Sequence, residues 1–246
     1  MRLTVLGGCG AWPTASQACS GYLVEHDGFT VLIDPGYAVL PRLLTVMADA
    51  RRLDAVLVSH GHPDHCADLN PLLRARVLRD NGDAPAAKLP VYAPTDALNA
   101  LLALDRKGML DDALALHDFA PGDRFAVGPF DVRTWLLPHW LPNAGLRLTT
   151  DNETLAYTGD TGPAPELIDL ARDADIFLAE ASYPRQVPGD SARYLSSALQ
   201  AGQTAARAGA RKLALTHLLP GTDAEAAAEA ASENYTGEIV VARSAR

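Results

Sequence analysis

The sequence has few cysteines and no long hydrophobic run, and each shortage excludes a class of protein. Three cysteines in 246 residues do not make a disulfide framework. No apolar run approaches the ~20 residues that a membrane-spanning helix requires. Residues 1–10 show neither the apolar core nor the small-residue cleavage site of a signal peptide. We therefore expect a soluble, cytoplasmic protein with no membrane partner.

Basic residues are also in deficit. The chain has 21 Lys and Arg against 30 Asp and Glu, which gives a net charge of -9. A nucleic-acid partner is disfavoured, because such proteins carry a basic balance or patch that offsets the phosphate charge. The remaining composition, 48% hydrophobic and 21% charged, is that of a globular protein. Its length predicts one domain over residues 1–246. The protein could also form a homodimer, because dimers are the commonest oligomers.

Strand and helix patterns alternate along the chain and predict a mixed α/β fold. The predicted strands are 2–6, 20–26, 29–34, 55–58, 130–137, 145–149, 154–158, 176–179, 212–216 and 238–242. The predicted helices are 39–48, 69–78, 95–104, 165–171, 196–208 and 223–231. Thr95 is the expected N-cap of the third helix.

The most informative segment, His-Gly-His-Pro-Asp-His at 60–65, directly follows the buried strand 55–58. Imidazole nitrogens and carboxylate oxygens are good ligands for a divalent metal such as zinc. His60 and His62 can point to one side of an extended segment, whereas Asp64 and His65 follow a proline and face a second position. The alternative, a polar surface loop, is disfavoured because further ligand types, His139, Asp160 and His217, also follow predicted strands.

The other histidines and the cysteines have simpler interpretations. His26 and His117 lie in strand-like stretches without acidic or histidine neighbours, and we expect structural or surface roles for them. Cys66 follows His65, but the site is complete without it, so a small buried residue is the better interpretation. Cys9 and Cys19 are expected to be free thiols.

The ordered set of motifs resembles that of the metallo-β-lactamase-fold hydrolases, most closely their ribonuclease Z and phosphodiesterase-like branch. The similarity rests on the 60–65 hexapeptide, His139 after a proline, Thr-Gly-Asp at 158–160 and Leu-Thr-His at 215–217. The segments 6–10, 20–24 and 32–36 resemble the opening strands of that family, so the likeness covers nearly the whole chain. The resemblance implies an α/β fold, an αββα four-layer sandwich in a single domain, with the metal site at one edge of two facing sheets.

Carried over residue by residue, the resemblance implies a two-metal centre. His60, His62 and His139 would hold the first ion; Asp64, His65 and His217 would hold the second; and Asp160 would bridge the two. Zinc is favoured because His62 stands where iron-using members carry a carboxylate, and manganese and iron are the alternatives. Two such ions about 3.5–4 Å apart share a water and lower its pKa from 15.7 toward roughly 7, which supplies hydroxide at neutral pH.

Asp64 has a second expected role, and four further side chains are candidates for supporting roles. Asp64 would also be the catalytic residue that orients the nucleophile and takes its proton. Asp34 is either an acceptor for the free N–H of a ligand histidine or an ordinary turn carboxylate. Glu180 corresponds to the glutamate of a His-Glu-Ala-Thr segment in ribonuclease Z. Trp12 and Trp140 are candidates for the apolar wall of a substrate pocket, although core packing is the alternative for both.

Three departures from ribonuclease Z disfavour tRNA processing. Tyr194 replaces a late histidine of that enzyme, and it is either a proton donor lining the pocket or a packed aromatic residue. The segment between His139 and Asp160 is too short for a tRNA-binding arm, and the chain is acidic. We therefore predict a hydrolase of a small phosphodiester or related ester. A carboxyl-ester, lactone or thioester hydrolase and a metal-binding module without hydrolytic activity remain alternatives.

Overall fold

The computed structural model describes residues 1–77 and 87–244, which form two β-sheets. The first sheet has six strands that neighbour one another in sequence order: β1 (Arg2–Gly7), β2 (Gly21–His26), β3 (Phe29–Ile33), β4 (Ala55–Leu57), β5 (Leu89–Pro94) and β6 (Leu114–Phe119). The second sheet has seven strands: β7 (Arg124–Val127), β8 (Phe130–Leu137), β9 (Asn143–Thr149), β10 (Thr154–Tyr157), β11 (Ile176–Glu180), β12 (Lys212–Thr216) and β13 (Glu238–Val241).

Seven α-helices accompany the sheets in the described residues: α1 (Val39–Val46), α2 (Pro63–Cys66), α3 (Leu69–Val77), α4 (Asn99–Leu102), α5 (Glu166–Ala171), α6 (Ala198–Ala208) and α7 (Ala224–Ser232). The longest, α6, begins with a capping box in which Ser197 and Gln200 satisfy each other's backbone N–H. It ends at Gly209, whose φ of 71° is readily adopted by glycine. No helix of this described part is both long enough and apolar enough to cross a bilayer.

Alternating side chains of the strands form separate layers of core, because successive residues of a strand face opposite sides of the sheet. In β2, Tyr22 and Val24 belong to the core between the two sheets, whereas Leu23 packs with the helices of the first sheet. In β4, Leu57 belongs to the core between the two sheets, and Val56 packs with the helices of the first sheet. A third cluster fills the space between the second sheet and α5–α7. The layers are therefore helix, sheet, sheet, helix, and the αββα expectation is confirmed.

The helix expected over 95–104 is wrong in its extent. Only Asn99–Leu102 is helical, and Leu98 rather than Thr95 precedes it. The backbone N–H of Thr95 instead binds the carbonyl of Phe119 at the end of β6. The strands β5, β6 and β7 were not predicted. β5 contains Pro90 and Pro94, yet it pairs in parallel with β4 and β6. The helix expected over 69–78 is present to Val77; residue 78 lies outside the described residues.

The polar motifs follow strands whose carboxyl ends share one edge of the sandwich. In the first sheet β3 and β4 are parallel. In the second, β10, β11 and β12 are parallel, and β8 runs in the same direction because both β8 and β10 are antiparallel to β9. Because ligands in sheets of this kind bind outside the carboxyl ends of the strands, this edge is where a functional site is expected.

Candidate metal centre

All seven predicted ligands come together at this edge, in two sets that share Asp160. The first set contains His60, His62, His139 and Asp160. The second set contains Asp64, His65, Asp160 and His217. Within each set the candidate ligand atoms all lie within 4.8 Å of one another. The second set is entirely buried; in the first set His62 is half-buried, whereas the His139 side chain is only 1% exposed.

Local backbone geometry positions these side chains. The single-turn helix α2 begins with Pro63 and carries Asp64 and His65 on consecutive residues. His217, just after β12, has a φ of 58°, and Asp34, just after β3, has a φ of 51°. Both values lie in the left-handed region that non-glycine residues rarely adopt, a strain that is typical of functional sites.

Two glycines of the opening segments allow close approach to the ligands. A Cβ atom on Gly10 would lie 2.8 Å from the His217 ring, and one on Gly36 would lie 1.9 Å from the carbonyl oxygen of Asp64. The loop after β1 also contacts the centre directly, because the N–H of Ala11 donates to Asp64 Oδ2 at 2.9 Å.

Asp34 supports one histidine of each set. Its Oδ2 accepts a hydrogen bond from His65 Nδ1 at 2.8 Å and another from the Ser59 hydroxyl at 2.7 Å. The Ser59 hydroxyl has one proton, which it gives to Asp34, so it accepts from His60 Nδ1 at 3.0 Å. Tyr157 donates its O–H to the same Oδ2 at 2.7 Å. These bonds fix the proton of His60 and of His65 on Nδ1.

The other two supported histidines are fixed in the same way from the second sheet. His139 Nδ1 donates to the main-chain carbonyl of Tyr194 at 2.9 Å, and a carbonyl can only accept. Ser182 gives its hydroxyl proton to Glu180 Oε1 at 2.7 Å and so accepts from His217 Nδ1 at 3.0 Å. The Nε2 atom of each of these four imidazoles therefore faces the interior of the cluster, where it can bind a metal ion or, in the metal-free protein, carry a second proton.

These inner nitrogens meet other electron pairs rather than donors. His60 Nε2 and His139 Nε2 each lie 3.0 Å from His62 Nδ1, which carries at most one proton. His65 Nε2 lies 3.2 Å from Asp160 Oδ1, and both atoms are buried without a hydrogen-bond partner. His217 Nε2 lies 3.1 Å from Asp160 Oδ2. Electron pairs so placed repel unless a proton or a metal ion lies between them, and outer N–H groups held by protein acceptors are the usual support of metal-ligating histidines. The cluster therefore fits divalent metal ions.

The two sets differ in charge. Burial lowers the pKa of His60 well below its usual range and also lowers the pKa values of His62 and His139, so the first set offers neutral imidazoles. In the second set burial also lowers the pKa of His65, but the carboxylates of Asp160 and Asp34 outweigh it and hold that pKa well above the ordinary value. The second set has two carboxylates, Asp64 and Asp160, whereas the first set has Asp160 alone. Positive charge is therefore stabilised more strongly in the second set.

The two central carboxylates stay ionised despite burial. Burial alone would raise the pKa of Asp160, but His217 and His65 hold it well below the usual range. Burial likewise raises the pKa of Asp64, and the hydrogen bond from His217 and the charge of His65 outweigh it. Glu180 differs, because burial and the charge of Asp160 raise its pKa to about 8, while the charge of His217 acts in the opposite direction. Positive charge in the cluster therefore lowers the pKa of Glu180 and favours its ionised form.

The supporting residues include some that the sequence did not indicate. The structure places Asp34 behind His65 and places Glu180 behind His217, where it acts through Ser182. The relays through Ser59 and Ser182 were missed, although Ser59 directly precedes the His60 hexapeptide and Ser182 ends the Glu180 segment.

The aromatic candidates and the remaining histidines occupy separate places. Trp12 and Trp140 are 55% and 50% exposed, and the ring of Tyr194 lies 5.0 Å from that of Trp140. His26 lies beside Phe130 and His117 stacks on Tyr92, so neither belongs to the cluster. Cys9, Cys19 and Cys66 are buried free thiols, as expected.

The sequence matches the beta-lactamase superfamily domain over residues 30–218. The chain belongs to this superfamily. Among curated relatives, the probable metallo-hydrolase YhfI of Bacillus subtilis is 31% identical over 244 residues, which cover 99% of this chain and 98% of YhfI. The ribonuclease Z of Kineococcus radiotolerans is 29% identical over 265 residues, covering 88% of this chain and 82% of that enzyme.

Solved structures of the beta-lactamase superfamily agree with this fold. The crystal structure of YhfI superposes with a TM-score of 0.88 and covers 99% of this chain and 97% of that one. A diphosphatase of the PhnP family, at 19% identity, superposes with a TM-score of 0.74 over 99% of this chain and 95% of that one, and shows the fold alone. The resemblance inferred from the sequence is confirmed, and family membership together with the paired cluster identifies a metal-dependent hydrolase.

Proposed function

We propose that this chain is a dinuclear zinc hydrolase that cleaves a small phosphodiester or a related ester. The observation that carries the proposal is the pair of ligand sets sharing Asp160, with four imidazoles held so that their Nε2 atoms face inward. Two zinc ions, when bound, lower the pKa of a water molecule and stabilise the charge that develops on phosphoryl oxygens. The match to a ribonuclease Z supports phosphorus as the reacting atom.

The protein residues have separate parts in this proposal. One ion would be held by His60, His62 and His139, and the other by Asp64, His65 and His217. Asp160 would be a ligand of both ions. Asp64, with its carboxylate fixed by the Ala11 N–H at 2.9 Å, would also accept a hydrogen bond from the attacking water and orient it. The acidic surface, with its net charge of -9, supports a small-molecule substrate rather than a nucleic acid.

The test compares two chromogenic substrates with the zinc-loaded protein. We expect turnover of bis-p-nitrophenyl phosphate and far slower turnover of p-nitrophenyl acetate. Asp64→Asn should lower phosphodiesterase activity by at least about 100-fold, the low end of a general acid–base contribution. Asp68→Asn is the matched control, because Asp68 lies four residues further on and binds the Leu40 N–H outside the cluster. Preferential acetate hydrolysis, or full activity in Asp64→Asn, would overturn the proposal.

A further inference from the structure

An exposed aromatic pair adjoins the first ligand set. Trp140 directly follows His139, and half of its side chain surface is open to solvent. Its ring meets the His139 ring edge-on, with centroids 5.0 Å apart, and it lies against Tyr194 with centroids again 5.0 Å apart. A large side chain so placed exposes an apolar surface at the entrance of a polar site, which is a common feature of ligand-binding sites.

This pair is held rigidly against the centre. His139 connects the two elements, because its Nδ1 donates to the main-chain carbonyl of Tyr194 while its ring contacts Trp140. An open cavity of about 470 Å³ runs along the 136–142 segment, on the Trp140 side of the pair, and is lined by His139, Trp140 and the carboxylate residue Glu166. Its size suits a small ligand group. The guanidinium of Arg193 lies 5.7 Å from the Tyr194 ring centroid and adds a positive charge beside the pair.

We infer that Trp140 and Tyr194 stack a flat aromatic ring that the substrate carries on an ester oxygen. The inference rests on the proposed function and narrows its substrate class to aryl or heteroaryl phosphodiesters. A ring stacked on an aromatic side chain contributes about 1–3 kcal/mol of binding free energy, and little entropy is lost because the protein rings are already packed together. Arg193 lies beside Tyr194 and adds cationic charge near the pair, which favours an anionic ester.

Trp12 is the other exposed tryptophan that could stack an aromatic ring of the substrate, but the structure favours Trp140. Trp12 follows Ala11, whose N–H binds Asp64, so it lies on the side of the second set. In the part of the chain that the structure describes, the Trp12 ring has no aromatic partner, whereas the Trp140 ring has two. A ring without such support loses more conformational freedom when a ligand binds, so the aromatic group is assigned to Trp140 and Tyr194.

The experiment measures the binding of two matched anions, phenylphosphonate and methylphosphonate, to the zinc-loaded protein by calorimetry and tryptophan fluorescence. Phenylphosphonate should bind about 5- to 150-fold more tightly, which is the stacking free energy expressed as a ratio. Trp140→Leu should bring the ratio close to one. Trp135→Leu is the matched control, because Trp135 on β8 lies under Arg133 at 4.6 Å instead, and the ratio should be unchanged.

Two further variants keep the inference testable if Trp140→Leu loses zinc. Tyr194→Leu should lower the ratio while its main-chain carbonyl still supports His139, and Tyr194→Phe should preserve the ratio. Equal affinity for the two anions, a ratio that survives loss of either ring, or a ratio abolished by Trp12→Leu instead would overturn the inference. These outcomes concern binding alone, so they are separate from failure of the proposed function, which is scored by hydrolysis of bis-p-nitrophenyl phosphate.

Discussion

Replacing Asp34 with Asn should weaken both ligand sets, although Asp34 belongs to neither. Its carboxylate is fully buried and accepts from the N–H and O–H of Ser59, from His65 and from Tyr157. An asparagine can still accept the Ser59 N–H, but its amide group would face the other three donors. His65 could recover a bond only by moving its proton to Nε2, which removes the electron pair needed for a metal ion.

The magnitude follows from the burial of these groups. Loss of one partner of a buried charged network costs about 3–5 kcal/mol, which for a chain of this size lowers Tm by roughly 6–20 °C. Loss of an outer carboxylate also lowers metal affinity by about 10- to 100-fold, and we expect this for both ions because Ser59 transmits the change to His60.

Calorimetry of the metal-free protein and zinc titration against a chelator measure these two effects. Asp54→Asn is the matched control: Asp54 accepts from Thr30 at 2.7 and 3.0 Å, away from the cluster, and zinc affinity should be unchanged. Wild-type zinc affinity in Asp34→Asn, or a loss confined to the second ion, would refute the reasoning.

Three further predictions concern metal support, metal release and the thiols. Ser182→Ala should lower affinity for one zinc ion by up to about 10-fold in a chelator competition, whereas exposed Ser232→Ala should not; an unchanged affinity would exclude the relay. A chelator should remove zinc in two phases, the first from the first set, because its ligand His62 is half-buried while the second set is entirely buried. His62→Ala should therefore abolish the fast phase, and loss of the slow phase instead would contradict this order of release. Burial raises the pKa of Cys19 and of Cys66 to about 12, so an aromatic disulfide reagent at pH 8 should modify the thiols only after denaturation; rapid reaction of the native protein would show that they are accessible.

The contiguous parts of the site were predictable, because the hexapeptide at 60–65 combines unusual residue types at the end of a buried strand. His139, Asp160 and His217 could be added because each follows a strand, and parallel strands end at a common edge. Asp34 was recognisable as a candidate for the same reason.

The relays and the Tyr157 bond were not predictable, because they join residues that are far apart in sequence. Tyr157 and Asp34 are 123 residues apart in sequence, yet they share a hydrogen bond of 2.7 Å. Serine is common in turns, so neither Ser59 nor Ser182 is distinctive without the orientation of the histidine beside it. In the fold, β5 was not predicted; prolines are unusual inside a strand, and its pairing with both neighbours reveals it.

The central claim is that the two ligand sets bind two metal ions on which hydrolysis depends. The most direct test is metal content per chain after purification without added metal, combined with phosphodiesterase activity before and after chelation. The account predicts about two zinc ions per chain, with activity lost on chelation and restored by zinc. One ion or none, with no activity after reloading, would contradict it and would favour a protein that binds metal without catalysing hydrolysis.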